Sequence, residues 1–233
     1  MALPRSRSYL GIAKETRPVA GYTPTPAAPT MWIPYTGINP FDNITYMDDL
    51  GMRGSMVTEY GVIAGKKHSE FDFSGDVFAD TFGFITAGIL GSVTTTGSSA
   101  PYTHTMTVLN GASGGAQPTT YTLSDYYALG ANLRQFAGMQ FSSCDVKFSA
   151  DALLTHTTKA MGFVSSSTSA SAPTFTSATA VPSWEGTVSF NGVSTTILAD
   201  GNINMVRQVN PIWTVSGDQN PYQMFVGPLA VSG

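Results

Sequence analysis

The sequence predicts a mainly β fold with one flanking α-helix. Three observations carry that expectation. Polar and apolar residues alternate with period two in short segments, one segment alone switches to a helical period, and glycine, serine and threonine separate the runs. Period-two alternation marks a strand with one packed and one wet face, whereas apolar residues at i, i+4, i+7 and i+11 mark one face of a helix. At 233 residues the chain has room for one large β domain or two small ones, with ample core in either case.

Residues 1–30 read as an extended N-terminal arm outside the core. Pro4, Pro18, Pro24, Pro26 and Pro29 each fix φ and remove a donor, which favours extended backbone. The arm is positive at Arg5, Arg7, Lys14 and Arg17, in contrast to an acidic body. It fits either docking on a neighbouring subunit or disorder in the isolated monomer. The β domain follows over residues 31–233, with first strands at 31–36, 55–60 and 67–74. In the last of these Ser69, Phe71 and Phe73 oppose His68, Glu70 and Asp72. Residues 39–65 otherwise read as a loop segment.

Between Asp76 and Gly91 the period changes. Phe78, Phe82, Ile85 and Ile89 fall on one helix face, with Asp76 suited to the N-cap, Asp80 to the dipole and Gly91 to the stop. That stripe is expected to pack on a sheet. Further strands are expected at 102–109, 120–128, 139–149, 153–163, 184–190, 202–208, 213–216 and 222–231. In 139–149 the set Phe141, Ser143, Asp145 and Lys147 opposes Cys144, Val146 and Phe148. Thr155 to Lys159 form an unusually polar centre, so a hairpin turning at Ala150 and Asp151 suits a sheet wet on one face, such as a channel wall. Residues 165–173 read as a low-complexity linker.

Charged residues make up 11% of the chain, against about 25% in a typical soluble domain. Such a surface is expected to be covered by copies of itself, although a secreted β-protein shares this composition. A net charge of −4 excludes a basic nucleic-acid binder working by counterion release. No Lys or Arg occurs between Lys67 and Arg134, while Glu70, Asp72, Asp76, Asp80 and Asp125 all do. A pore wall built from this stretch would repel phosphate, and the same acids also fit caps and solvated faces. The single Cys144 excludes an internal disulfide and reads as a small buried hydrophobe. Residues 1–20 lack the apolar stretch of a signal peptide, and no run approaches the ~20 residues of a membrane helix. The chain is therefore expected to stay in a cytoplasm until it is assembled.

No catalytic constellation is found. His68, His104 and His156 lack a second His or Cys at ligand spacing, there is no Gly-x-Ser-x-Gly elbow, and the glycines at 111–115 precede no Lys-Ser/Thr. Asp48 and Asp49 are adjacent, so on extended chain they point apart and read as solvated turn acids rather than a glycosidase pair. Neither an enzyme nor a cofactor or metal is expected. Asn43-Ile-Thr45 matches a glycosylation acceptor, which carries no weight without a secretory signal.

Several segments taken in order resemble a known family. They are the opening MALPRSRSYLGIAKE (1–15), SGDVFADT (74–81), AGILG (87–91), SAPYTHT (99–105), LSDYY (123–127), KFSAD (147–151), WEGT (184–187), Asp200-Gly201 and the closing NPYQMFVGPLAVSG (220–233). Together they resemble the tail tube (major tail) proteins of long-tailed bacteriophages, of a type common in phages of actinobacteria. The resemblance implies a β-sandwich or barrel-like pair of sheets with a flanking helix. Six copies would form a ring, each giving strands to a continuous inner β-barrel, and rings would stack through loops and arms. The tube would enclose a tape-measure protein and conduct double-stranded DNA on ejection without binding it specifically. A tail terminator and distal tail or baseplate proteins are the further partners implied, with no membrane. The place implied is the virion tail, assembled in the host cytoplasm.

Within that picture Glu70, Asp72 and Asp145 are candidates for the lumen, and Arg5, Arg7, Tyr9, Lys14 and Arg17 for an inter-subunit arm. Asp42, Asp48, Asp49 and Arg53 are candidates for a ring-stacking loop. The resemblance also implies β-structure beyond the last strand, so a chain ending at Gly233 reads either as a shorter variant or as one whose C-terminal part is truncated. The alternative from another class is a carbohydrate-binding or adhesion module presenting Trp32, Trp184 and Trp213.

Overall fold

The computed structural model describes residues 8–16, 24–57, 59–98, 102–110, 117–127, 132–169, 171–195, 198–215 and 217–233. In chain order the elements are β1 (Tyr9–Lys14), β2 (Met31–Ile33), β3 (Gly37–Asp49), β4 (Gly61–Asp76), α1 (Phe82–Leu90), β5 (Gly91–Thr96), β6 (Thr103–Val108) and β7 (Tyr121–Tyr127). They continue with β8 (Asn132–Ser149), β9 (Thr155–Gly162), β10 (Ser166–Ser167), β11 (Val188–Phe190), β12 (Val193–Thr195), β13 (Asp200–Ile212) and β14 (Gln223–Ser232). The main sheet runs β2-β1-β7-β8-β9-β4-β3, all pairs antiparallel, and β13 joins β8 while β14 joins β13. Two-stranded ribbons β5-β6 and β11-β12 stand apart.

β8 belongs to both layers. Its first half pairs with β7 as far as Met139, and its second half pairs with β13 from Ser143 onward. Gly138 lies between the halves at φ 63°, where an added Cβ would meet the Phe163 ring at 2.6 Å, so only glycine makes this joint without strain. A bulge follows at Ser142. Leu10, Ile12, Ile33, Leu123 and Phe136 from one layer share a core with Phe71, Phe73, Phe141, Cys144, Val146, Ala160 and Met205 from the other. The result is a β-sandwich with one helix, as the sequence predicts.

Ile85 and Ile89 of α1 are fully buried, and Gly88 lets the helix settle onto Phe141, whose ring an added Cβ would meet at 2.2 Å. Gly91 ends the helix at φ 100°, its N–H donating to the Ala87 carbonyl. The start differs from expectation. Asp76 still pairs with Thr155 in the sheet, and the N-cap is Thr81 with no side-chain bond. The Asp80 carboxylate accepts from the Thr176 hydroxyl.

Other expectations are corrected. Residues 1–30 do not all lie outside the core, because β1 is buried on both faces, with Leu10 and Ile12 at 0% exposure. Its run Tyr-Leu-Gly-Ile-Ala has no alternation to announce it, and the surrounding prolines mask it. Pro29 packs on Gly11, where an added Cβ would lie 2.7 Å from its ring. Residues 39–65 are not mainly loop. β3 and β4 form a long hairpin, overlooked because Pro40 and Asp42 occupy inward positions that a strand reading expects to be apolar. Conversely, the described residues of 55–60 and 213–216 are not in strands. The linker carries β10, which pairs with Gln135 and Arg134 of β8.

Two buried polar side chains fix the core. Arg207, 1% exposed on β13, donates from Nε to the Ile89 carbonyl at 2.5 Å and from Nη2 to the Leu90 carbonyl at 3.0 Å. It also reaches the carbonyls of Leu109 at 3.2 Å and Gly227 at 3.3 Å. The positive charge therefore meets the last carbonyls of α1, sharing that of Leu90 with the Leu109 N–H. Burial lowers its pKa. His156, 3% exposed on β9, shares a 3.0 Å hydrogen bond with Thr158 and lies between the rings of Phe73 and Phe82. Burial lowers its pKa from 6.5 to about 4.

Arg207→Met is expected to cost about 3 kcal/mol by stranding several buried carbonyls, read as a lower urea midpoint at constant m-value. For His156 the folded pKa lies below the unfolded one, so its contribution is complete above pH 6.5 and declines as the pH falls toward 4. The drop corresponds to roughly 3 kcal/mol at about 1.36 kcal/mol per pKa unit. His156→Gln is expected to flatten the stability profile across that window, and a slope that stays unchanged would show that other groups set it.

Candidate functional site

The second layer hides one face under α1 and leaves the other open. Side chains of that open face line up in rows across six strands. One row runs Asn39, Asp72, Lys159, Ser143, Val206 and Ala230, following the register from β3 through β4, β9, β8 and β13 to β14. The next runs Gly37, Ser74, Thr157, Asp145, Asn204 and Ser232. A third holds Asp76, Thr155, Lys147 and Asn202. Apart from Val206 and Ala230 these rows are polar or glycine, and they form a continuous wet surface behind the packed one. Beside Asp145, Lys147, Leu153, Asp200 and Asn202 the surface dips into an open cleft of about 580 Å³.

Glu70, Asp72 and Asp145 all lie on this face, as their alternation predicts. The bulge at Ser142 changes one member of the set: Phe141 faces the core with Cys144 instead of the water with Asp145. Sequence windows also gave the wrong charge balance. Lys147 lies 3.5 Å from Asp145, and Lys159 lies 3.7 Å from Asp72. Both lysines come from outside the cation-free stretch, and the sheet places them among its acids. His68 Nε2 is 3.4 Å from Glu70. Asp125, counted with the acids of that stretch, is buried beside Arg134 at 3.6 Å, and burial raises its pKa more than the guanidinium lowers it.

The β3-β4 hairpin projects past the sheet, and its far end is apolar and wet. Tyr46, Met47, Leu50, Val62 and Ile63 are each more than half exposed, and Met52 and Met56 fully so. Arg53 holds this end together, pairing with Asp49 and stacking 4.8 Å over the Tyr60 ring. The Ser55 and Tyr60 hydroxyls lie 2.7 Å apart. Asp48, Asp49 and Arg53 therefore share the tip, whereas Asp42 lies at the base of the hairpin. Burial pushes the Asp42 carboxyl up, but hydrogen bonds from Ser165 and Ser69, with Arg134 nearby, outweigh it and hold the pKa below the usual carboxylate value. Asp42 is a tie between β3 and the segment after β9, not part of the exposed tip.

Of the arm candidates, Arg5, Arg7 and Arg17 lie outside the described residues. Lys14 ends β1 exposed. Tyr9 is buried, stacked on Tyr126 at 4.8 Å and edge-on to Trp32 at 5.2 Å, so it belongs to the core of this chain rather than to an exposed contact. Trp32 is buried with it and offers no sugar platform. Trp184 is exposed, and Trp213 is half-buried with Lys66 Nζ 5.0 Å from its ring centre. Cys144 is fully buried, and burial pushes its thiol pKa to about 11. Among the described residues no group of three His, Cys, Asp or Glu side chains is placed to hold a metal, and no helix is long and apolar enough to cross a membrane.

Among the described residues the sheet has two terminal strands on this side, since β3 pairs only with β4 and β14 only with β13. Part of the β14 edge is capped by side chains that sequence reading missed. The Gln117 amide takes both the N–H and the carbonyl of Val226, each at 2.9 Å, and Asn110 Oδ1 accepts from the Leu229 N–H at 3.0 Å. An amide side chain reproduces the donor and acceptor of a peptide, so Gln117 stands in for one residue of a neighbouring strand.

No curated protein matches the chain. A family model for phage tail tube proteins matches residues 5–233, nearly the whole length. The chain belongs to the phage tail tube protein family and is a structural protein of the virion tail.

Proposed function

We propose that this chain closes into six-membered rings that stack into the tail tube, with the open face of the second layer turned to the lumen. The tube would enclose a tape-measure protein and pass double-stranded DNA on ejection. Its ends would meet a terminator and the distal tail or baseplate proteins, after assembly in the host cytoplasm. The observation that supports the lumen assignment best is the set of polar rows that cross the antiparallel strands on the open face of the second layer.

Strand parity fits ring closure. With six strands alternating in direction, β3 and β14 run opposite ways, so β3 of one copy meets β14 of the next in antiparallel orientation. Head-to-tail pairing of this kind is heterologous and closes if the rotation per copy divides a circle. Closure also removes two exposed edges. Stacking falls to the hairpin tip, where Tyr46, Met47, Leu50, Met52, Met56, Val62 and Ile63 would leave water against the adjacent ring. The N-terminal arm would dock on a neighbouring subunit through Arg5, Arg7 and Arg17. Catalysis plays no part in this function.

Electron microscopy of the concentrated protein tests the assembly directly, with hollow tubes or six-fold rings as the expected result and a stable dispersed monomer, even beside tail components, against it. Met47 and Ile63 share one face of the tip. The double variant Met47→Asp, Ile63→Asp is expected to leave stability within about 0.5 kcal/mol and to stop growth beyond single rings. Normal tubes from that variant would remove the tip from the stacking interface.

A further inference from the structure

We propose that Asp72 and Asp145 serve to hold Lys159 and Lys147, keeping the two lysines of the open face away from the phosphates of a passing nucleic acid. The inference rests on the reading of that face as the lumen wall, and gives its acids a different task from general repulsion. Lys159 and Lys147 keep 57% and 63% of their side-chain surface exposed, so packing does not restrain them. Their restraint is electrostatic. Lys159 faces Asp72 as its cross-strand partner at 3.7 Å, and Lys147 reaches Oδ2 of Asp145 at 3.5 Å along its own strand. The other oxygen of Asp145 accepts from Asn202 Nδ2 at 2.8 Å, which fixes the carboxylate in place from the β13 side.

Distance decides which task the acids perform. At physiological ionic strength exposed charges are screened beyond about 8 Å, so a wall carboxylate has little effect on a phosphate farther out in a wide channel. An ammonium within 4 Å of a carboxylate lies well inside that length and feels it almost unscreened. A free lysine on the wall would exchange counterions for phosphate contacts, each adding about 0.9 to the slope of log affinity against log salt. Repeated around every ring, such contacts would sum into a brake, because each copy of the chain adds its two lysines to the same polymer. Paired lysines make no such contacts, and the face stays wet and non-adhesive.

The test is binding of a short labelled duplex DNA to the purified chain at low salt, where this face is open to solvent. Wild type is expected not to bind. Asp72→Asn with Asp145→Asn should gain binding that weakens with salt at a slope of about 2, one increment per released lysine. Adding Lys147→Gln and Lys159→Gln to that variant should abolish the gain. Glu59→Gln with Glu185→Gln, which removes the same charge from exposed positions elsewhere, should gain nothing. No gain in the first variant, an equal gain in the control pair, or a gain that survives loss of both lysines would each overturn the proposal, provided the variants match wild type in thermal unfolding. Imaging of tubes from the same preparations separates the two readings. A duplex-binding double variant in a protein that never forms tubes would sustain the masking and sink the lumen assignment.

Discussion

The constraint on which this fold depends is that one strand must serve two sheets. β8 leaves β7 and takes up β13 about halfway along its length, and the change of partner requires a turn of direction that Gly138 supplies at positive φ. From that joint follow the two layers, the shared core between them and the bulge at Ser142 that turns Phe141 inward. The helix fits because Gly88 opposes Phe141, and Arg207 then ties the helix end, the β5-β6 ribbon and the β13-β14 pair into one unit. Each later contact assumes the earlier one, so the wet face inherits its flat polar rows from the geometry of the hidden side.

Much of this was legible from residue order alone, and the exceptions share a physical cause. Strands with one wet face, such as β4 and β9, announce themselves by alternation, and the placement of Glu70, Asp72 and Asp145 followed from it. β1 is buried on both faces and has no period to detect. β3 breaks the pattern because Asp42 lies inward, where Ser69 and Ser165 satisfy it. The helix start was misplaced because Asp76 suits a cap equally well at the end of a strand. Long-range pairings left the weakest trace: nothing near Asp72 in sequence names Lys159, and nothing near Gln117 names Val226.

The polarity of the open face was legible and its charge was not. A local window counts acids, but a sheet mixes residues from strands far apart, and here it brings cations to a stretch that lacks its own. The same mixing explains why Asp125, an acid of that window, contributes nothing to the wet face: it pairs with Arg134 within the other layer. Assigning a potential to a β surface therefore requires register, which the alternation of a single strand does not contain.

The amide cap on β14 has a consequence for strand addition. A strand that pairs with β14 at Val226 has to displace the Gln117 amide, so at that residue it gains only the difference between two equivalent hydrogen-bond partners. Strand addition at Val226 is therefore close to neutral in hydrogen bonding, and any net attraction between two copies at this edge has to come from the side chains around it.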